Sequence, residues 1–270
     1  MADENDFLSV SIVLYKSRPE EVAATLRALE KSVAKVMGTL PVRLFLIDND
    51  PAATESGSGL FSCAEGMRVD YLCGQGNVGF GAAHNLVLEK VGVFHLILNP
   101  DVELAEDALD QALAFMKIHP DCGLLSPFAS WENGRRQYLC KRYPTILDLV
   151  LRGFAPAFVK RLFQYRLDRY EMRGVTEADV VWDPLIVSGC FMLFRRDVLH
   201  RVGGFDPAYF LYFEDFDLSL RAARVTRLAY VPSVKIVHYG GYASRKGFRH
   251  IAMFARSARR FFRTHGWRFA

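Results

Sequence analysis

The sequence predicts an α/β fold with a mixed, mostly parallel central sheet and a helical appendage at its C-terminal end. Three observations predict it. Short apolar runs alternate with amphipathic stretches through the first half, the order expected of a parallel sheet covered by helices. Polar residues collect directly after those runs, at the strand carboxyl ends where open α/β sheets bind ligands. From Phe248 onward, apolar and arginine positions separate onto two faces of a helix.

The elements follow in order. Val10 to Tyr15 is a short apolar run, hence a buried strand. Pro19 to Val36 has helical periodicity, with Val22, Leu26, Leu29 and Val33 on one face. Val42 to Ile47 is the next strand and ends in Asp48-Asn-Asp-Pro51; Arg68 to Cys73 is a third. Phe80 to Val91 reads as a helix, and Phe94 to Leu98 as a strand stopped by Asn99-Pro100. Leu104 to Ile118 reads as a helix, and a fifth strand starts at Cys122. Residues 130 to 182 break the alternation. They are rich in arginine, lysine and aromatics, with helical pieces at Thr145–Leu151 and Phe158–Met172. Val187 to Phe194 is strand-like, a helix opens at Glu214, and Leu228–Val231 and Val234–Val237 read as two short strands. No repeat or low-complexity linker divides the chain, so one catalytic domain is expected over residues 1–243, with a basic amphipathic helix over 244–270.

Composition narrows the class. Of 270 residues, 51% are hydrophobic and 24% charged, as in an ordinary globular protein. No apolar stretch reaches membrane-spanning length, and the acidic start, Met1 to Asp6, is unlike a signal peptide. Cys63, Cys73, Cys122, Cys140 and Cys190 are odd in number and scattered, matching neither a disulfide framework nor a zinc site. A cytoplasmic protein is therefore expected. The net charge of +4 hides a split: residues 1–130 carry 9 Lys and Arg against 18 Asp and Glu, residues 131–270 carry 25 against 12. A basic half beside an acidic one suggests an anionic partner: phosphates, anionic lipid or nucleic acid. No nucleic-acid recognition motif is present, so no nucleic-acid partner is expected.

Four constellations carry chemistry. Glu214, Asp215 and Asp217 sit among aromatic and aliphatic residues in Phe210 to Arg221. Such surroundings can tune a carboxylate into a general base, although acids are also favoured at any helix N-terminus. Asp48-Asn49-Asp50 ends a buried strand; it is ordinary turn chemistry, or an acceptor for base N–H and ribose hydroxyl groups. Gly74-Gln-Gly-Asn-Val-Gly79 matches G-x-G-x-x-G, with Asp101 further on. It reads as a turn that lets the backbone approach a nucleotide, or as a dinucleotide fingerprint. Asn99-Pro100-Asp101 presents a carboxylate at the sheet edge, either as a helix cap or as a ligand for magnesium or manganese, which take few protein oxygens beside phosphates and water. His238 ends a strand before a glycine turn and suits manganese as well as zinc.

Together these residues resemble the inverting nucleotide-sugar glycosyltransferases of the GT-A fold, family two, and most of all its rhamnosyltransferase-like branch. The resemblance runs from Val10 to about Ser244. It is carried by Ser11–Tyr15, Ile47–Asn49, Gly76–Asn85, Leu98–Asp101, Val187–Arg195, Gly203–Asp206, Glu214–Asp217 and His238. It implies that Asp48 binds the nucleobase or ribose, and that Asn77, Gly79, Asn85 and Asp101 line the nucleotide-sugar pocket. Asp101 and His238 would hold Mg2+ or Mn2+ at the donor diphosphate. Asp215 would be the catalytic base, with Glu214 beside it. Asn99 stands where many relatives have the first aspartate of the metal motif, and Val87 where many have glycine. The implied partners are a nucleoside-diphosphate sugar, dTDP-rhamnose favoured, and a saccharide or lipid-linked acceptor.

The chemistry accounts for this inventory. A single displacement needs one base and a stabilised leaving group, but no enzyme nucleophile. A glycosidase needs two carboxylates flanking one bond, and adjacent helical residues diverge by about 100°. A dinucleotide-dependent oxidoreductase and a catalytically silent nucleotide-sugar-binding module remain as alternatives. In the tail, Phe248, Ile251, Ala255, Ala258 and Phe262 share one face, and Arg249, Arg256, Arg260 and Arg263 another. That pattern fits an anionic membrane surface, reached peripherally from the cytoplasm, or a helix packed on the catalytic domain.

Overall fold

The structure is a computed structural model, and it describes residues 6–38, 40–54, 66–175, 179–240 and 248–270, Phe248 by its backbone only. Cys63 and the expected boundary at 243/244 lie outside the described residues. Twelve strands are present among the described residues: β1 (Leu8–Leu14), β2 (Val42–Asp48), β3 (Met67–Leu72), β4 (Phe94–Leu98), β5 (Val102–Leu104), β6 (Cys122–Ser130), β7 (Arg136–Gln137), β8 (Cys140–Lys141), β9 (Val181–Trp182), β10 (Ile186–Val187), β11 (Phe191–Arg195) and β12 (Arg227–His238). The helices are α1 (Pro19–Ala34), α2 (Phe80–Asn85), α3 (Ala108–Ile118), α4 (Ile146–Phe154), α5 (Ala157–Leu162), α6 (Gln164–Tyr170), α7 (Arg196–Val202), α8 (Glu214–Ala222) and α9 (Phe248–His265).

The main sheet has the order β3-β2-β1-β4-β11-β6-β12-β5. Strands β3, β2, β1, β4, β6 and β12 run in one direction, and β11 is inserted antiparallel between β4 and β6. The mixed, mostly parallel sheet expected from the sequence is therefore present. Register fixes the working edge. Leu14 faces Asp48, Ile12 faces Leu98, and Phe191 faces Leu98. The carboxyl ends of β1, β2 and β4 thus meet the amino end of β11. His238, the last residue of β12, pairs with Val102 of β5. Asp48, Asp101, Gly189 and His238 are all delivered to this edge by strand ends.

The central strands are buried on both faces: Leu8, Val10, Ile12, Leu44, Leu96 and Leu98 form one apolar face, and Val13, Phe45, Ile47 and Ile97 lie on the other beside Ser9, Ser11 and His95. Helix α1 covers one face with Val22, Leu26, Leu29 and Val33, starting at Pro19 with Glu20 and Glu21 in its first turn. One polar chain crosses this core. The Ser9 hydroxyl lies 2.8 Å from His95 Nδ1, and the Ser11 hydroxyl lies 2.9 Å from His95 Nε2 and 2.7 Å from His84 Nδ1. Burial holds the His95 imidazole down at about 3 and lowers that of His84 as well.

Several boundaries differ from the sequence reading. The expected helix from Leu104 begins instead at Ala108, because Val102–Leu104 pairs with β12. Asp101 is thus no helix cap; Asp107 occupies that position. The helix after Phe80 is a single short α-helix followed by a 3₁₀ turn at Leu88–Lys90. The stretch from Phe158 divides into α5 and α6, and Val187–Phe194 divides into β10 and β11 around Ser188-Gly189-Cys190. Conversely, the two short strands after Leu228 are one strand, β12, with a register shift between Val231 and Lys235. No helix among the described residues is long and apolar enough to cross a membrane.

Helix α9 packs through a face rotated from the one its periodicity suggested. Phe261 and Phe262 are buried with Ile186, Tyr209 and Phe213, whereas Ala255 is exposed. Ser257 donates to the Leu211 carbonyl, and His265 Nε2 lies 2.8 Å from Asp217. The apolar seam of α9 is therefore occupied by the domain that carries Glu214–Asp217.

Candidate active site

Helix α8 begins abruptly. Tyr212 and Phe213 both adopt left-handed backbone, at φ 70° and 65°, a conformation that costs side-chain-bearing residues roughly 1–2 kcal/mol each. Aromatic packing holds them there: the Phe213 ring lies 5.1 Å from Phe254 and 5.3 Å from Phe261. The turn aims three carboxylates in different directions. Asp217 points into the fold, bound by Arg221 at 2.7 Å and His265 at 2.8 Å. Glu214 is buried, with Oε2 lacking a hydrogen-bond partner, and desolvation followed by the neighbouring Asp215 charge pushes its carboxyl well up. Asp215 is half-buried. Its Oδ2 accepts from the Gly189 amide at 2.9 Å, and its Oδ1 accepts from the Phe216 amide at 3.0 Å. Desolvation raises its carboxyl too, opposed by those amides and by Lys141.

The break between β10 and β11 joins this helix to the next site. Beside Gly189, the Cys190 carbonyl accepts from the Asn99 amide at 3.0 Å. The buried Cys190 thiol, pushed up to about 12 chiefly by desolvation, also feels both Asp101 and Asp215. A methyl group on Gly189 would stand 3.1 Å from Asp215 Cβ, tighter than ordinary contact.

Asp101 and His238 do converge. His238 Nε2 lies 3.6 Å from Asp101 Oδ1, a buried oxygen with no hydrogen-bond partner among the described residues. His238 Nδ1 lies 2.9 Å from Gln137 Oε1, which can only accept, so Nδ1 carries the proton and the Nε2 lone pair faces Asp101. Burial lowers the imidazole pKa, favouring the neutral form that binds metals, although Asp101 opposes this. No group of three or more His, Cys, Asp or Glu able to hold a metal occurs among the described residues. The available set is one carboxylate and one imidazole. That suits Mg2+ or Mn2+ completed by phosphate and water.

Asp48 and the glycine turn, the residues expected to receive a nucleotide, lie at the carboxyl ends of β2 and β3. Asp48 Oδ2 accepts from the Tyr71 hydroxyl and Oδ1 from the Asp50 amide, each at 2.9 Å. Gln75 donates to the Asp48 carbonyl at 2.7 Å, tying the turn to β2. Asn77 Oδ1 accepts from the Gly79 amide. Gly79 is at φ 93°, and a methyl group there would lie 2.5 Å from the Phe210 carbonyl oxygen. Glycine at this position is thus required by backbone sign and by space. Asn85, expected in the nucleotide-sugar pocket, bonds within the fold: its amide donates to the Phe205 carbonyl and accepts from the Phe205 amide, clamping the Gly203–Gly204 turn to α2. The dinucleotide alternative also loses its geometry, since Asp101 lies against His238 and the helix after Gly79 has only six residues. Gly189, Gln137 and Lys141 had no assigned role in the sequence reading. Only Gly189 carried a signal, as part of the Val187–Arg195 resemblance.

The fold and this edge define the class: a GT-A glycosyltransferase fold. No protein-family model matches the chain. It is 27% identical over 246 residues to N-acetylglucosaminyl-diphospho-decaprenol L-rhamnosyltransferase of Mycobacterium tuberculosis, spanning 84% of this chain and 77% of that protein. It is 28% identical over 196 residues to the rhamnosyltransferase WbbL of Escherichia coli, spanning 69% and 70% respectively. Among solved structures, GalNAc-T7 with UDP, GalNAc and Mn2+ superimposes with TM-score 0.61 at 16% identity, over 87% of this chain and 43% of that one. The sequence resemblance to rhamnosyltransferase-like GT-A proteins is thus borne out over most of the chain. Neither the oxidoreductase nor the silent-module reading is supported.

Proposed function

We propose that this protein is an inverting glycosyltransferase that moves L-rhamnose from dTDP-rhamnose to a polyprenyl-diphosphate-linked saccharide at the cytoplasmic face of the membrane. The observation that supports it most is the Asn99–Cys190 and Gly189–Asp215 pair of hydrogen bonds, which tie the strand end before Asp101 and the helix carrying Asp215 to one break between β10 and β11. The two rhamnosyltransferase relatives support the sugar, and the decaprenol-linked name of one supports the acceptor class.

Asp48, Asn77 and Gly79 would receive the nucleoside. Asp101 and His238 would hold Mg2+ or Mn2+, which when bound would supply positive charge to the departing diphosphate. Asp215 would take the proton of the acceptor hydroxyl as its oxygen forms a bond to the anomeric carbon. The carbon–oxygen bond to the diphosphate breaks in the same displacement, inverting the centre. Asp215 is favoured over Glu214 because it is reachable and its ionised form receives two backbone N–H groups. Glu214, sealed and shifted upward, would stay protonated and hold the site's shape. The test is a panel of nucleotide-sugars with Mn2+ or Mg2+ and a polyprenyl-diphosphate N-acetylglucosamine acceptor, read by nucleoside-diphosphate release and by sugar transfer. Transfer only from dTDP-rhamnose, with the inverted linkage, is expected. Transfer from another donor would move the sugar assignment, and retention of configuration would overturn the mechanism.

A further inference from the structure

Helix α9, the segment whose sequence pattern points to a membrane, has its apolar seam occupied by the domain, but another part of the fold shows the reverse. Helices α4, α5 and α6 form a small helical group in which large apolar side chains face solvent. Phe154 is 61% exposed, Phe158 77%, Leu162 81% and Tyr165 84%. Val150 and Phe154 share a face of α4, and Phe158 and Leu162 share a face of α5, each four residues apart. Helix α5 buries none of its residues. Trp267 and Phe269 are also exposed, and their segment is bonded to the start of α4 through Ile146 N–H to the Arg268 carbonyl and Leu147 N–H to the Phe269 carbonyl. Such a concentration of exposed aromatic and aliphatic groups exceeds the scattered apolar residues of an ordinary surface.

The charge of this group selects the occupant. Residues 146–170 carry five Lys and Arg against two Asp. Arg161 and Arg169 are exposed beside the apolar positions. Aromatic rings and leucine flanked by basic residues match an anionic bilayer interface, where apolar groups enter the acyl boundary and cations meet headgroups. A protein partner would have to supply a matching acidic apolar groove, and a second copy of the chain shows none among the described residues.

We propose that the α4–α6 group, through Phe154, Phe158, Leu162 and Tyr165, docks the protein on an anionic lipid surface. The group adjoins the proposed site. Tyr170, the last residue of α6, is buried with its carbonyl bonded to the Arg142 amide, and its hydroxyl senses the Asp215 charge. A lipid-linked acceptor would give such a docking surface a use. In that respect the inference rests on the acceptor reading above, while binding to lipid stands on the exposed surface alone.

The experiment uses the full chain and vesicles of phosphatidylcholine with or without phosphatidylglycerol. A double variant, Phe158→Gln with Leu162→Gln, is compared with Arg256→Gln/Arg263→Gln on α9. Both pairs are exposed, and unchanged near-ultraviolet circular dichroism and dTDP affinity would show an intact fold. The expected result is that the parent sediments with phosphatidylglycerol vesicles, while the α5 variant loses about tenfold or more in partitioning. The α9 variant should lose less. Parental vesicle binding by the α5 variant overturns the proposal. So does a parent that binds no vesicles but forms a dimer that the α5 variant dissociates, since a second copy would then be the occupant. Vesicle binding together with failure to use any lipid-linked acceptor would leave the docking surface standing and refute the acceptor reading instead.

Discussion

The Gly189 amide donates to Asp215 Oδ2 at 2.9 Å, so the residue that interrupts the β10–β11 run also holds the carboxylate of α8. The interruption is the reason the amide is free to do so. A continuous strand would spend it on a neighbouring strand, and any side chain larger than hydrogen would crowd Asp215.

Asp215→Asn keeps the size of the side chain and removes its proton acceptor. It should fold, bind dTDP-rhamnose as the parent does, and lower kcat by about a hundredfold or more. The acid limb of the parent pH–rate profile should lie above the ordinary carboxylate range, because burial raises the Asp215 carboxyl and activity is lost as that group protonates. Near-parental kcat in Asp215→Asn, with collapse in Glu214→Gln, would reassign the base.

If Asp101 and His238 hold the proposed ion, Gln137→Leu should weaken its binding while leaving both residues in place. Losing the acceptor at His238 Nδ1 frees the imidazole to rotate and change tautomer, and a lost supporting bond of this kind costs about 10–100-fold in metal affinity. Mn2+ binding in the presence of dTDP, followed by electron paramagnetic resonance, reads this directly. Unchanged Mn2+ affinity in both Gln137→Leu and Asp101→Ala would remove the metal from this site.

Acid should destabilise the fold through the buried histidines. Their folded pKa values lie below the unfolded value near 6.5, so they contribute no penalty above it. As pH falls from about 6.5 toward 3, the unfolded chain gains protons that folded His95 and His84 refuse. His95 should cost about 1.4 kcal/mol per pH unit in that window, and His84 adds to the loss in the same direction. Urea midpoints measured between pH 7 and 5 should fall with that slope, and a flat profile would contradict the buried neutral chain.

Phe261→Ala should cost about 3–5 kcal/mol, the usual range for a phenylalanine emptied from a packed interior. Arg256→Gln on the exposed side of the same helix should change stability by no more than about 0.5 kcal/mol. Equal, small effects in denaturant unfolding would mean that α9 is not docked on the domain.

What the sequence made legible follows from local physics. The strands β1, β2 and β4 announced themselves as short runs rich in Val, Ile, Leu and Phe, and Asp48, Asp101, Asp215 and His238 were singled out because each ends, follows or opens an element. Gln137 was invisible, since its role depends on β7 pairing with β6 and so on contacts about 100 residues away in sequence. The clamp of Asn85 on Phe205 was equally hidden, because its partner lies 120 residues on. The face of α9 was misjudged because small residues such as Ala255 satisfy an apolar pattern whether buried or not, and aromatic partners on α8 selected the seam. The break at Gly189 was read through because only two small residues, Ser188 and Gly189, separate Val187 from the apolar run Cys190–Phe194.

The paired left-handed residues Tyr212 and Phe213 set a limit on how this protein can be improved. Glycine at either position would relax the backbone yet remove rings that seat α8 against α9, while larger aromatic surface nearby would tighten the fold and stiffen the approach to Asp215. Selection for heat tolerance and selection for turnover should therefore pull in opposite directions at this corner. Compensating changes should then appear on α9, far along the chain from the carboxylate they serve.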